Sequence, residues 1–284
     1  MLWSRTQPRR LDAEVEKRLA LARQNNPAGE TWLALVEAAL AETANVGRWR
    51  AAIPGPAGDR PARAPLLHGT EIAVNARAVR RFVRHLTDLV ALNGEGPDHI
   101  DPVGLVEAAI RQDDARIGES SKLRVVAQIA AVPLLVAAAQ AIGGAISAAW
   151  WEGYCPVCGA WPTLAEFRGL ERKRWLRCGR CATAWELPWL RCAFCGETDH
   201  EHLGYLAPEE GETSRKVEVC DTCKGYLKAE PTVSALPWWG VVLDDAATVV
   251  LDVAALDRGY HRPERPGFEL DVRIVPDRSG FWTT

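Results

Sequence analysis

The 284-residue sequence is poor in lysine and methionine, and it has no cysteine outside residues 155–223. Only 6 of its 34 basic residues are lysine, which we attribute to genomic composition. The net charge of −3 gives no reason to expect a nucleic-acid partner. The start, MLWSRTQPRR, is charged and has no apolar run behind it, so a secretory signal is not expected. A cytoplasmic location follows as the default, and in that reducing compartment cysteines favour metal binding over disulfides.

The sequence also lacks a glycine-rich phosphate loop and a nucleophile with an activating partner. Two acidic groups have simpler explanations than catalysis. Asp244 and Asp245 are adjacent on a predicted loop, where a turn or a helix cap accounts for them. Asp98, His99 and Asp101 lie between two predicted helices, and Asp101 is placed to cap the second. No catalytic residue is predicted, and the protein is not expected to be an enzyme.

The first half of the chain has the apolar periodicity of helices. Residues 11–24 and 31–46 place apolar side chains at helical spacing. The proline-rich run 53–65 predicts a loop, and a long amphipathic helix is predicted over about 71–92. Another helix is predicted from Pro102 to about Ile117, ended by Gly118.

The stretch 125–151 contains no charged residue and is long enough to span a membrane. It is rich in alanine, contains Gln128 and Gln140, and is interrupted by Pro133 and by the Gly143-Gly144 pair. These features favour a helix buried by its neighbours, so no membrane span is predicted.

The eight cysteines form four Cys-x-x-Cys pairs. They are Cys155/Cys158, Cys178/Cys181, Cys192/Cys195 and Cys220/Cys223. One tight turn can direct two thiolates at the same ion, and two turns complete a shell of four sulfurs. The first two pairs are predicted to form site 1 and the last two to form site 2. The likeness of YCPVCG to RCAFCG favours this sequential pairing, while a cross-brace of the first pair with the third is the alternative.

Two metal ions per chain are therefore predicted, and four sulfurs suit either zinc or iron. The CPVCG knuckle resembles that of rubredoxin, which slightly favours iron. His200 and His202 could replace a cysteine ligand, but with four sulfurs at hand they are expected to be surface residues. Six nearby cations either offset the shell charge or are solvated surface charges: Arg177, Arg180, Arg191, Lys216, Lys224 and Lys228.

After Trp151 short strand-like segments such as TLAEF and KRWLRC replace the helices. The predicted fold is α+β, with an all-helical domain followed by two rubredoxin-like or zinc-ribbon-like modules. The predicted divisions are a helical domain at 1–152, the modules at 153–190 and 191–231, and a tail at 232–284. In the tail, WWGVVLD is predicted to be a strand, and a helix is predicted from about Val249 to Asp257. The helical domain is expected to stay folded when site 1 is lost, because it has its own apolar core.

The motifs GYCPVCGAWP, RCGRC, RCAFCG and VCDTCKGYLK together resemble the FdhE-type accessory proteins of formate dehydrogenase, from Trp151 to about Pro231. The resemblance implies a cytoplasmic maturation factor with a helical domain and rubredoxin-like metal modules. It also implies binding to the catalytic subunit of a molybdenum- or tungsten-pterin formate dehydrogenase. A homodimer is compatible with this interpretation.

Two other functions compete with it. A nucleic-acid-binding zinc ribbon would use the basic and aromatic residues of FRGLERKRWLRCGRC, although Glu166 and Glu171 dilute that patch. A thiol-redox protein would need one Cys-x-x-Cys pair free of metal, and two complete sites leave none to spare.

Overall fold

The structure, a computed structural model, describes residues 13–44, 49, 60–91, 101–207 and 214–277. Within them the helices are α1 (Ala13–Asn25), α2 (Glu30–Thr43), α3 (Ala76–Leu89), α4 (Pro102–Arg111), α5 (Asp114–Ile117), α6 (Ser121–Ile142), α7 (Trp238–Ala247) and α8 (Val249–Leu256). The strands are β1 (Thr70–Val74), β2 (Leu164–Arg168), β3 (Lys173–Arg177), β4 (Ala184–Glu186), β5 (Leu203–Leu206), β6 (Lys216–Cys220), β7 (Tyr226–Thr232) and β8 (Val272–Pro276). The predicted α+β class, with helices before the cysteine-rich strands, is confirmed.

Helix α6 lies at the centre of the helical half. It is apolar on all sides and packs against α2, α3 and α4, because such a helix must be covered by several neighbours. Ser120 caps its start and accepts the N–H of Leu123 at 3.3 Å. Residues Ser121–Ala145 are long and apolar enough to cross a membrane, yet 67% of their most apolar window is buried inside the protein. The structure thus agrees with the prediction of a buried helix.

Strand β1 corrects the prediction of a continuous helix over about 71–92. The segment alternates buried Thr70, Ile72 and Val74 with more exposed residues, which is strand periodicity. It pairs in parallel with β8, with Thr70 opposite Val272. Helix α3 begins only after Asn75, whose side chain accepts the N–H of Ala78 at 3.1 Å. The described part of the helical half therefore contains one strand, which pairs with a strand from the last described segment of the chain.

The other strands form one six-stranded sheet in the order β4-β3-β2-β7-β6-β5. Strands β2 to β4 carry residues of the first cysteine region, and β5 to β7 carry residues of the second. The two sets join through the parallel pair β2 and β7, with Leu164 opposite Lys228. All other neighbours in this sheet are antiparallel. The two cysteine regions therefore share one continuous sheet.

Helix α7 corrects the prediction that WWGVVLD is a strand. It runs from Trp238 to Ala247 and packs against α1. A short run of apolar residues is compatible with a buried strand or a buried helix, so periodicity alone could not decide. Helix α8 is where the sequence predicted it.

The helix predicted over Pro102 to Ile117 is divided at Gln112, whose left-handed φ of 58° ends α4.

Candidate metal centres

The four Cys-x-x-Cys turns have the same backbone geometry. In each, the N–H of the first cysteine donates to the carbonyl oxygen five residues later. The four hydrogen bonds are Cys155 to Ala160 (2.8 Å), Cys178 to Thr183 (3.0 Å), Cys192 to Glu197 (2.8 Å) and Cys220 to Gly225 (3.0 Å). The residue after each second cysteine has a left-handed φ: Gly159 (71°), Ala182 (71°), Gly196 (79°) and Lys224 (55°). Glycine relieves this strain in two turns, while Ala182 and Lys224 adopt the conformation at some cost.

Site 1 consists of the first two pairs. Their four sulfurs lie within 4.8 Å of one another, with 3.4 Å between those of Cys155 and Cys181 and 3.5 Å between those of Cys158 and Cys178. All four side chains are fully buried. The Sγ of Cys155 accepts the N–H of Val157 at 3.4 Å, a bond that helps to orient the thiolate. The Oγ1 of Thr183 lies 3.0 Å from the Sγ of Cys181.

Site 2 consists of the third and fourth pairs. The sulfurs of Cys192 and Cys223 are 3.7 Å apart, as are those of Cys195 and Cys220. Backbone N–H groups again reach the sulfurs, from Phe194 to Cys192 and from Gly225 to Cys223, both at 3.4 Å. Unlike site 1, this cluster reaches the surface, since Cys195 is exposed and Cys223 is half-buried. The structure thus groups the pairs in sequence order, and the cross-brace is not formed.

Both clusters fit a tetrahedral metal ion. Metal–sulfur bonds of about 2.3 Å place the sulfurs of a tetrahedron about 3.8 Å apart. The 3.7 Å separations in site 2 match this value, and those in site 1 are slightly shorter. Four sulfurs suit zinc or iron. The two groups could therefore hold two metal ions, and each complete shell leaves no ligand position for a substrate.

The thiols of each cluster shift one another's pKa values. Burial raises the pKa of Cys155 and Cys181 well above the ordinary thiol value, while hydrogen bonds from neighbouring thiols lower that of Cys178. In site 2 the hydrogen bond from Cys223 lowers the pKa of Cys192 to about 5, and the same contact raises the pKa of Cys223. One thiolate in each cluster is thus stabilised by protonated neighbours. A divalent ion can replace those protons and stabilise all four thiolates.

Site 1 is enclosed by segments far away in the sequence. The N–H of Leu67, in the helical half, donates to the carbonyl oxygen of Val157 at 3.1 Å. From the tail, the N–H of Phe268 donates to the carbonyl oxygen of Gly159 at 3.0 Å. There is no space for a side chain at Gly159, because an added Cβ would lie 3.0 Å from the carbonyl oxygen of Phe268. The first knuckle is therefore part of the main interior of the protein.

Several of the cations near the cysteines are not surface charges. Arg177 is buried and forms an ion pair with the fully buried Glu166. Lys228 is only 1% exposed, and its Nζ lies 2.7 Å from Asp245 and 2.6 Å from Asp252. For these two cations the interpretation as solvated surface charges was wrong. Lys224, by contrast, forms an exposed ion pair with Asp221 at 2.6 Å.

One acidic partner of Lys228, Asp245, and its neighbour Asp244 were predicted to lie on a loop. Asp244 and Asp245 belong to helix α7 and not to a turn, which corrects that prediction. The carboxylate of Asp244 accepts from Arg18, and that of Asp245 accepts from Arg262 at 2.8 Å. Burial by itself would raise the pKa of Asp245, but the charges of Arg262 and Lys228 lower it. Sequence reasoning missed this network, and the only signal was Lys228 itself, a charge inside an apolar strand.

The remaining candidates are placed as follows. His200 and His202 are exposed and belong to neither cysteine cluster. Asp101 caps α4, accepting the N–H groups of Val103 and Gly104 at 3.1 Å each. Asp98 and His99 lie outside the described residues.

The basic patch proposed for nucleic acid is largely internal. Arg174 and Arg177 are 5% and 3% exposed, and Arg174 donates to the carbonyl oxygens of Pro188 and Arg191. Arg180 donates to the carbonyl oxygen of Ala109 at 2.5 Å. These side chains support the interior, so they do not form the basic surface that binding to a phosphate backbone requires.

Comparison with known proteins gives similarities of two kinds. Residues 190–267 match the family described as FdhE, C-terminal domain. A protein FdhE homolog from Rhizobium meliloti is 38% identical over 122 residues, which cover 41% of this chain and 38% of that protein. Protein FdhE from Escherichia coli is 34% identical over 116 residues, covering 38% of this chain and 35% of that protein. The matched region thus spans less than two fifths of the length of these relatives.

The crystal structure of the FdhE protein from Pseudomonas aeruginosa has the same fold. Its TM-score to this chain is 0.59, and the match covers 89% of this chain and 93% of that one at 21% sequence identity. The fold likeness therefore extends over the helical half as well as the cysteine-rich half.

Proposed function

We propose that the chain is a member of the FdhE family and an accessory protein for the maturation and activity of a molybdenum- or tungsten-pterin formate dehydrogenase. In this proposal it binds the catalytic subunit of that enzyme through the region that carries the two cysteine clusters. It acts in the cytoplasm and catalyses no reaction of its own. The sequence similarity to FdhE proteins over the cysteine-rich region carries the proposal, and the geometry of the metal centres supports it.

The eight cysteines are proposed to be ligands of two ions, iron or zinc, with site 1 formed by Cys155, Cys158, Cys178 and Cys181 and site 2 by Cys192, Cys195, Cys220 and Cys223. A closed shell of four thiolates supplies no Lewis-acid chemistry but stabilises a small structure strongly. Each ion would cross-link two turns and the strands that follow them. We therefore assign the metal ions a structural task, which is to hold the surface that contacts the partner.

A thiol-redox function would make a different use of the same residues. It requires two thiols of one pair to be free of metal and accessible to a substrate. In site 1 all four cysteines are fully buried. Each cluster is made of two Cys-x-x-Cys pairs, so neither has a pair to spare. In the accessory function all eight cysteines serve as metal ligands.

The test is made on anaerobically purified full-length protein. Metal analysis should give two ions of iron or zinc per chain. A tagged chain should recover the catalytic subunit of formate dehydrogenase from cells that express both, and cells without the chain should have reduced formate dehydrogenase activity. Unchanged enzyme activity in those cells, together with no recovery of the catalytic subunit, would contradict the proposal.

A further inference from the structure

A groove lies on one face of the six-stranded sheet, next to site 2. It has a volume of about 380 Å³ and is lined by apolar side chains from three strands and a loop: Phe167, Trp189, Tyr205, Ala229 and Pro231. A smaller cavity of about 50 Å³ shares Trp189 and Tyr205 with it. The opposite face of the sheet is packed against α8. The face of the sheet that carries the groove is therefore accessible, whereas the opposite face is covered by α8.

The aromatic residues at the groove are unusually exposed for their size. Trp189 is 57% exposed and Tyr205 is 44% exposed. The turn that carries the groove residue Arg172 also carries Leu170, whose side chain is fully exposed. Contiguous exposed apolar groups of this kind mark interaction sites, and Trp and Tyr are the residues enriched at the energetic centre of protein interfaces.

Of the three charged side chains among the described residues that line the groove, two are positive. Arg172 and Lys216 line it and are exposed, and neither forms an ion pair with another described residue. The Nζ of Lys216 lies over the ring of Tyr205, 5.4 Å from its centre. Among the described residues that line the groove, the one acidic side chain is Glu171, which is paired with Lys173 at 3.3 Å. Two cations are thus left to attract a carboxylate beside the apolar surface.

One side of this groove is connected to site 2 through the chain. Trp189, which lines the groove, belongs to the loop that runs from Pro188 to Cys192, the first ligand of site 2. Arg174 holds the loop, donating to the carbonyl oxygens of Pro188 at 3.2 Å and Arg191 at 3.1 Å. Cys192 and Cys220 themselves line the smaller cavity. An ion in site 2 would fix the position of Trp189 relative to the sheet.

We propose that this groove binds an extended segment of the partner protein, one that presents a large apolar side chain to Trp189 and Tyr205 and a carboxylate to Arg172 and Lys216. This inference rests on the proposed function, since the partner is the catalytic subunit of formate dehydrogenase. It adds the location of the contact and the chemistry of the segment. The groove volume accommodates one large side chain, and the positive rim selects segments with acidic flanks.

The test measures binding of the purified catalytic subunit to full-length, metal-loaded chain. Trp189→Ala should weaken binding by about tenfold to thirtyfold, as truncation of an aromatic anchor does. Lys216→Glu and Arg172→Glu should each weaken it about threefold to tenfold, and the parent's affinity should fall with added salt. Trp189→Phe and Lys216→Arg should bind nearly as well as the parent. Trp151→Ala is the matched control, because Trp151 is 55% exposed and does not line the groove.

Two ions per chain and unchanged helical circular dichroism establish that each variant is folded. If Trp189→Ala fails this criterion, the exposed charge variants carry the test. A parent protein that does not bind the catalytic subunit would contradict the proposed function itself. A parent that binds, with groove variants that bind equally well, would overturn only the groove. If the groove variants change the oligomeric state of the chain but not its binding to the partner, the groove binds a second copy of the chain. That result would also overturn the proposal.

Discussion

The backbone N–H of Leu66 donates a hydrogen bond of 2.7 Å to the carbonyl oxygen of Pro156. Pro156 stands between the two cysteines of the first knuckle, and Leu66 is buried in the core shared with the helices. Cys155 and Cys158 belong to that same core. The helical half and site 1 are therefore one interior, which changes the expectation that the helices stay folded when site 1 is lost.

The first prediction compares the loss of each site. Cys155→Ser with Cys158→Ser should remove one ion per chain and lower the melting temperature of the helical circular dichroism markedly. The reason is that metal-binding energy, about 10–16 kcal/mol in zinc-finger peptides, contributes directly to folding. Cys220→Ser with Cys223→Ser should also remove one ion but should lower the helical melting temperature much less, because site 2 lies at the surface. Equal melting temperatures of the two double variants would contradict this difference.

The second prediction concerns the order of metal release. Site 1 is fully buried, whereas Cys195 in site 2 is exposed. A chelator should therefore remove metal in two kinetic phases of equal amplitude, with site 2 in the fast phase. The variant lacking Cys220 and Cys223 should show only the slow phase. Release in a single phase from the parent protein would mean that a shared opening motion, and not local exposure, controls both sites.

The third prediction concerns the buried ion pairs of Lys228. Lys228→Met should destabilise the protein by about 1–3 kcal/mol, because it removes one of the two cations that pair with the partly buried carboxylates of Asp245 and Asp252. Lys173→Met is the control, since the pair of Lys173 with Glu171 is exposed and should contribute less than about 1 kcal/mol. Denaturant midpoints of both variants give the comparison. Similar midpoints would show that solvent screens the Lys228 pairs.

The cysteine clusters could be predicted from the sequence because their information is local. Two ligands lie three positions apart in each turn, and the likeness of YCPVCG to RCAFCG, each of which opens a module, indicates that the pairs combine in sequence order. The fold beyond these turns depends on distant partners. Strand β1 is stable because Thr70 lies opposite Val272, a pairing that no local pattern indicates.

The buried charges show the same limit. Glu166 was interpreted as one of the acids diluting a basic surface, yet its carboxylate accepts the N–H of Leu236 at 3.1 Å and pairs with Arg177 in the interior. A carboxylate and an arginine in a strand have the sequence signature of exposed residues. Only the packing of the segment around Leu236 against the sheet places them inside.

The fourth prediction concerns helix α6. Because α2, α3 and α4 cover it, the chain should remain in the supernatant after cell lysis and carbonate washing of the membranes. Its most apolar window is 67% buried, so little apolar surface is left to contact lipid. Retention of the chain in carbonate-washed membranes would favour the spanning alternative. A known membrane protein with one span serves as the positive control in the same fractionation.

The last prediction concerns Glu230, which is 7% exposed on β7. Burial, together with the negative charge of Asp244, raises its pKa, although Arg215 donates to one of its oxygens at 3.2 Å. A carboxyl group whose pKa is higher in the folded state binds its proton more tightly there, so the folded state loses stability as pH rises through that pKa. Gln has the same shape, keeps an acceptor for Arg215 and carries no charge.

Glu230→Gln should therefore match the parent's stability in acid and exceed it increasingly as the pH rises from about 4.3, the ordinary glutamate value, through the raised pKa of Glu230. Unfolding midpoints of both proteins across this range give the difference. Loss of metal in acid affects both equally, because their thiols are the same. Glu186→Gln removes the same charge from an exposed position, so the difference in stability between this variant and the parent should not change with pH. A Glu230→Gln protein that is less stable than the parent at neutral pH would mean that the ion pair with Arg215 outweighs burial.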